Sequence, residues 1–122
     1  MMMVDKNARN KLAEQIRYFL SCLTDNIEFD NAIFNIKTAD KAVKIIRDQM
    51  WYTYDDIWRH KLIGKRTLSE SDELIIKRFI LFLKTDFEYE ANDIKRNDLW
   101  PFLNRQQYEM ALNKPMYLNK AT

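Results

Sequence analysis

The predicted fold is decided by residues 69–84, which read SESDELIIKRFILFLK. Ser69 is a suitable N-cap, and the acidic residues that follow it lie at the positive end of a helix dipole. The apolar residues then cover nearly half of a helix circumference, so we predict a central core helix over about 70–86. These apolar residues are Ile75, Ile76, Phe79, Ile80, Phe82 and Leu83.

Apolar residues at three- and four-residue steps predict four more helices along the chain. They cover about 6–23, 26–34, 39–55 and the stretch from the cap Asn104 to about Leu112. In the first of these, Arg9 falls outside the apolar stripe. Asp25 and Glu28 fit a capping box, and Thr38 is a candidate cap for the third helix. Gly64 predicts a left-handed or turn conformation in the unassigned stretch 55–68.

The composition supports one helical domain. The chain has 122 residues with only one Gly and two Pro, which argues against a sandwich or barrel built from many tight turns. We therefore predict an all-α, compact single-domain bundle of about five helices. Its ordered core would cover about 6–112, and the remaining residues, where Pro115 limits continuation of the last helix, would form a flexible C-terminal tail.

Few residues could take part in catalysis or bind a metal or a phosphate. One Gly excludes the glycine-rich phosphate loops, and one His with one Cys excludes a His/Cys zinc site within a single chain. His60 with Asp55 and Asp56 is the only candidate for acid–base catalysis, and no pattern suggests a third residue to orient it. We therefore expect no enzyme, no catalytic residues, no cofactor and no metal.

The predicted compartment is the cytoplasm. Cys22 is the only cysteine, which fits a reducing environment. The sequence near Met1 has no signal-peptide pattern. The longest apolar run, Phe79 to Leu83, is far shorter than the roughly 20 residues that span a bilayer. We expect no membrane association.

Two aromatic-containing stretches are candidate protein-binding surfaces. If the third helix continued through Trp58, Trp51 and Trp58 would lie on its polar face beside Lys44 and Arg47. The alternative is that another helix covers both tryptophans. The acidic stretch after the core helix could dock a basic partner, it could hold a metal ion through its carboxylates, or it could simply be solvated. Its candidate residues are Asp86, Glu88, Tyr89 and Glu90.

A basic cluster and a leucine pair complete the candidates. The net charge is only +2, and the pI of about 8.6 is below the value of about 9 typical of nucleic-acid binders. Leu74 and Leu81, one heptad apart, could pack internally or form a homodimer seam. The candidate anion or nucleic-acid patch comprises Arg59, His60, Lys61, Lys65 and Arg66.

Part of the chain resembles a known group of proteins. Residues 51–57 (WYTYDDI), 60–64 (HKLIG), 80–90 (ILFLKTDFEYE) and 24–34 are similar to those of small uncharacterised bacterial proteins with no assigned activity. The resemblance covers about 9–102. It implies a bacterial cytosolic origin and a helical fold, and it transfers no functional residue.

The helical HEPN ribonucleases have a similar size, and their motif places an Arg four to six residues before a His. His60 is the only His here, and the corresponding positions hold Asp55, Tyr54 and Thr53. The sequence therefore lacks the catalytic pair, although an inert relative stays open.

The functional prediction follows from the lack of catalytic motifs and from the candidate binding surfaces. We expect a non-enzymatic protein-binding module, such as an immunity or antitoxin-like protein that neutralises a protein partner, with a homodimer as an open alternative. The alternative function is a nucleic-acid-associated regulator that uses the Arg59–Arg66 basic cluster.

Overall fold

The structure, a computed structural model, describes residues 4–54, 58–87, 89, 103 and 105–112. Over these residues the chain forms five α-helices and no strand, which confirms the all-α prediction. The helices are α1 (Lys6–Leu20), α2 (Asn26–Phe34), α3 (Lys41–Met50), α4 (Glu70–Leu83) and α5 (Arg105–Leu112). Short 3-10 turns cover Trp51–Thr53 and Gly64–Arg66. The predicted cap Asn104 and C-terminal tail lie outside the described residues.

The helix that organises the core is α1, not α4 alone. It packs against α2, α3 and α4, and side chains from all four helices share one apolar cluster. At its centre, Phe19 of α1 stacks on Phe29 of α2 with ring centroids 4.7 Å apart, and Tyr54 meets both rings edge-on. Each fully buried side chain of this kind contributes about 1.5–3 kcal/mol. The predicted apolar face of α4 is buried, apart from the half-buried Ile75. The helix ends at Leu83, three residues earlier than predicted.

The end of α1 comes three residues earlier than predicted. Leu23 donates its N–H to the carbonyl of Tyr18, and Cys22 donates to that of Phe19. This pair of bonds is the Schellman motif, which requires a left-handed residue, and Cys22 has a φ of 62°. Leu23 consequently leaves the apolar stripe and is exposed.

The bounds of α3 also differ from the prediction. The N-cap is Asp40, whose side chain accepts from the N–H of Ala42, and the Thr38 hydroxyl accepts from the N–H of Asp40 instead. The helix ends at Met50, and a 3-10 turn over Trp51–Thr53 redirects the chain. Tyr54 follows Met50 at a four-residue step, so the apolar spacing continues past the end of the helix. Its side chain packs on the core from beyond the turn.

Local sequence signals at α2 and α4 are confirmed. Asp25 and Glu28 form the capping box, with bonds of 2.8 and 3.0 Å in the two directions. Ser69 caps α4 by accepting from the N–H of Asp72 at 3.1 Å. Gly64 has a φ of 56°, in the left-handed region that favours glycine.

Arg9 is the main departure from the sequence prediction, because it is fully buried rather than on a polar face. Its Nε and Nη2 donate to the two carboxylate oxygens of Asp40 at 2.6 and 3.2 Å. Its Nη1 donates to the carbonyl of Thr85 at 2.9 Å, and its guanidinium lies 5.3 Å from the Phe82 ring centroid. We call this contact the Arg9–Asp40 junction. It joins α1 to the start of α3 and to the chain just after α4.

Candidate functional site

An open groove with a volume of about 680 Å³ runs along α2 and α3. We call it the α2–α3 groove. Aromatic side chains, buried isoleucines and charged side chains from both helices line it together. Its lining residues are Asp30, Ile33, Phe34, Ile36, Lys37, Thr38, Lys44, Arg47, Asp48 and Trp51.

Two large aromatic side chains line this groove while remaining mostly in solvent. Phe34 is 69% exposed and Trp51 is 62% exposed. The indole Nε1 of Trp51 donates to Asp30 Oδ1 at 3.2 Å, and the hydroxyl of Tyr54 donates to the same oxygen at 2.9 Å. Asp30 thus ties the exposed indole to Tyr54, which is itself packed on the core. The tryptophan is positioned without being covered.

The charged side chains that line the groove have a net positive charge. Lys37, Lys44 and Arg47 contribute three cations, against two carboxylates. The Lys37 ammonium lies 5.0 Å from the Phe34 ring centroid, and Arg47 donates to the carbonyl of Ile36 at 3.0 Å. Among the described residues, none of these three cations forms an ion pair.

Trp58 is not part of α3, so the predicted shared helical face with Trp51 is wrong. Both tryptophans are nevertheless exposed, and Trp58 is 68% exposed. The buried amide of Asn26, at the start of α2, holds this segment: Nδ2 donates to the carbonyl of Trp58 at 2.9 Å, and Oδ1 accepts from the N–H of His60 at 2.8 Å. Asn26 and Asp30 lie one turn apart, so both tryptophan segments attach to α2 about 6 Å apart along its axis.

One residue of the predicted basic cluster forms an ion pair within the fold, and others are exposed. Arg59 pairs with Asp25, the cap of α2. The N–H of Glu28 and then the Arg59 guanidinium hold the pKa of Asp25 below its ordinary value, against the opposing effect of burial. Lys61, Lys65 and Arg66 are exposed, the last two on the 3-10 turn after Ile63.

His60 in the same cluster has structural contacts. Its backbone exchanges hydrogen bonds with Asn26, and its ring Nδ1 lies 3.1 Å from the carbonyl oxygen of Lys61. Asp55 and Asp56, its suggested catalytic neighbours, lie outside the described residues. Within the described ranges, no three His, Cys, Asp or Glu side chains are placed to hold a metal ion.

The predicted acidic docking stretch is described only in part. Asp86 pairs with Lys6 at 2.9 Å. Tyr89 meets the Phe82 ring edge-on at 6.5 Å, and burial raises the pKa of its hydroxyl. Glu88 and Glu90 lie outside the described residues. The two described members therefore contact the end of the bundle.

The two leucines of the predicted seam have different surroundings. Leu74 is 60% exposed, whereas Leu81 is half-buried. Leu81 lines a smaller hollow of about 270 Å³ with Leu103 and Tyr108. A homodimer seam would therefore have only Leu74 fully available on this face.

Sequence reasoning missed Phe34 as an exposed residue because it was grouped with the buried residues of α2. A usable signal was present: Phe34 lies roughly 100° around the helix from Ile33 and 140° from Phe29. Phe29 and Ile33 are buried, and Phe34 projects from a different side.

Comparisons with family models, with curated proteins and with solved structures find no match for this chain. None of the described helices has the length and apolar character that crossing a bilayer requires.

Proposed function

We propose that this protein is a non-enzymatic protein-binding module of the immunity or antitoxin type, acting by docking a protein partner on the surface around α2. The observation that carries the proposal is Trp51, which is mostly exposed yet held by a hydrogen bond to Asp30. Phe34 lies on the same groove, and Trp58 is attached one turn away on α2.

Exposed aromatic residues of this kind are characteristic of binding surfaces. Tryptophan and tyrosine dominate the energetic centres of protein interfaces, and a contiguous exposed apolar surface marks an interaction site. A side chain that is already positioned loses little conformational entropy on binding. The hydrogen bond to Asp30 gives Trp51 that advantage.

The alternative function, nucleic-acid binding through the basic cluster, has weaker support. The pairing of Arg59 with Asp25 neutralises one of its charges. Lys61, Lys65 and Arg66 remain exposed and would give salt-sensitive binding to RNA or DNA. A titration with mixed RNA and DNA at low salt, repeated with Lys65→Ala and Arg66→Ala, tests this alternative directly.

The proposed function is tested by quantitative affinity capture from the native host. Wild-type protein, Trp51→Ala and Leu74→Ala serve as baits, because Trp51 and Leu74 are exposed to nearly the same extent, 62% and 60%. We expect a specific protein partner that Leu74→Ala retains and Trp51→Ala loses. Truncating an interface anchor commonly costs about 2 kcal/mol or more, or roughly 30-fold in affinity. Equal retention by both variants, or capture of no protein, would contradict the proposal.

A further inference from the structure

We propose that the α2–α3 groove receives an acidic, amphipathic segment of the partner protein. An apolar side chain of that segment would pack between Phe34 and Trp51. Its flanking carboxylates would face Lys37, Lys44 and Arg47. The inference rests on the proposed function, since it specifies the chemistry of the partner that the module binds.

The shape of the groove fits a peptide segment. Its volume of about 680 Å³ is large enough to hold several side chains, and it is open rather than enclosed. Small-molecule pockets bury most of the ligand surface, whereas a chain segment must enter and leave the site at its two ends. Buried Ile33 and Ile36 line the same groove as the two exposed aromatic side chains and add apolar surface to it.

The charges of the groove select an acidic segment. The lining carries a net charge of +1, from three cations against the carboxylates of Asp30 and Asp48. The cations on Lys37, Lys44 and Arg47 are not engaged by any carboxylate of the described residues. Complementary charge guides encounter and excludes like-charged partners. The groove therefore favours Asp and Glu around an apolar anchor and disfavours a basic segment.

Lys37 brings a positive charge close to one of the two exposed aromatic side chains, Phe34. Its ammonium lies over the Phe34 ring at 5.0 Å, within the range of a cation–π contact. A carboxylate that approaches Lys37 is thereby brought to the edge of the Phe34 face. The apolar residue and the acidic residue that make these two contacts should therefore be close together in the partner segment.

A random peptide library displayed on phage and selected on the full-length protein supplies the probe. Enriched peptides are synthesised and their affinities measured for four proteins: wild type, Trp51→Ala, the double variant Lys37→Glu with Lys44→Glu, and a matched control. The control is Lys11→Glu with Lys41→Glu, which makes the same charge change at exposed positions outside the groove.

We expect the enriched peptides to carry Asp or Glu around a large apolar residue. The groove double variant and Trp51→Ala should each weaken binding about tenfold or more, and the control should change it less than about threefold. Circular dichroism of each variant confirms that the fold is retained.

Three results would overturn the inference in distinguishable ways. If basic or uncharged peptides are enriched and only Trp51→Ala weakens their binding, the proposal of an acidic segment is wrong and the proposed protein-binding surface stands. If no peptide is enriched, or if Trp51→Ala has no effect, both proposals fail. A concentration-dependent dimer in light scattering that Trp51→Ala abolishes would show that a second copy occupies the groove, and would also overturn the acidic segment.

Discussion

The Arg9–Asp40 junction and the α2–α3 groove distribute polar and apolar groups in opposite ways. At the junction a charged guanidinium is completely buried, whereas at the groove an indole and a phenyl ring face solvent. Each arrangement runs against the ordinary preference of its residue type. The junction connects three parts of the chain. At the groove, none of the described helices buries the side chains of Phe34 and Trp51.

The difference separates what holds the protein together from what it offers to a partner. A buried charge is tolerated only when its hydrogen bonds are satisfied, and all three donor groups of Arg9 that face the junction have acceptors. Exposed aromatic residues contribute little to folding and are consequently available for binding. Substitutions in the two regions should therefore affect different measurements.

The largest effect on stability is expected from Arg9→Met. It leaves Asp40 buried without its counter-charge, which costs about 3–5 kcal/mol of unfolding free energy. Urea denaturation followed by circular dichroism measures the loss, and Lys11→Met, on an exposed position of the same helix, is the control. The double variant Arg9→Met with Asp40→Asn should be more stable than the sum of the single losses predicts. A loss below about 1 kcal/mol for Arg9→Met would show that the junction is not a buried ion pair.

Asn26→Ala should have the next largest effect. The substitution removes the bonds to the Trp58 carbonyl and the His60 N–H and leaves those groups without their amide partner. The expected cost is about 1–3 kcal/mol. Hydrogen exchange at the amide of His60 should also accelerate, because its acceptor is lost. Asn35→Ala, which removes one exposed bond to Asn31, provides the comparison and should be nearly neutral. Similar losses in both variants would contradict the anchoring role of Asn26.

Acidic pH should reveal the smaller contribution of Asp25, the N-cap of α2, to the free energy of unfolding. The folded pKa of Asp25 lies below its ordinary value of 3.8, so the unfolded chain takes up this proton first as the pH falls. The stabilisation is complete above that ordinary value and is lost as the pH falls through the folded pKa. Wild type should therefore exceed Asp25→Asn in stability at neutral pH, and the difference should shrink below pH 3.8. A difference independent of pH would contradict this account.

Trp51→Ala should have the smallest effect on stability. The side chain is mostly exposed and makes one exposed hydrogen bond, so we expect a loss of about 1 kcal/mol or less. Thermal and urea denaturation measure it. A loss as large as that of Arg9→Met would mean that Trp51 is a core residue, and the distinction between the two regions would fail.

Sequence patterns predicted the features that depend on neighbouring residues. The bounds of α2, its capping box at Asp25 and Glu28, the Ser69 cap and the left-handed Gly64 all follow from local backbone chemistry. Long-range contacts were not predictable in this way. Nothing near Arg9 indicates that Asp40, 31 positions away, would pair with it.

The candidate site shows the same limit. Lys44 and Arg47 were placed beside Trp51 on a third helix that would continue through Trp58. That helix ends at Met50, but both side chains line the same groove as Trp51. The contribution of α2 could not be read from the sequence, because Asp30 reaches Trp51 across 21 positions. The sequence pattern did not show that α3 ends at Met50, because Tyr54 continues the apolar spacing. Tyr54 packs on the core from another direction.

Oxidative labelling of the protein inside its native host cells, compared with labelling of the purified protein, tests the central claim most directly. Hydroxyl radicals modify exposed side chains, and mass spectrometry locates the modification at each residue. We expect Trp51 and Phe34 to be protected in cells, while Leu74 is labelled equally in both samples. Equal labelling of Trp51 and Phe34 in the two samples would show that no partner covers the α2–α3 groove.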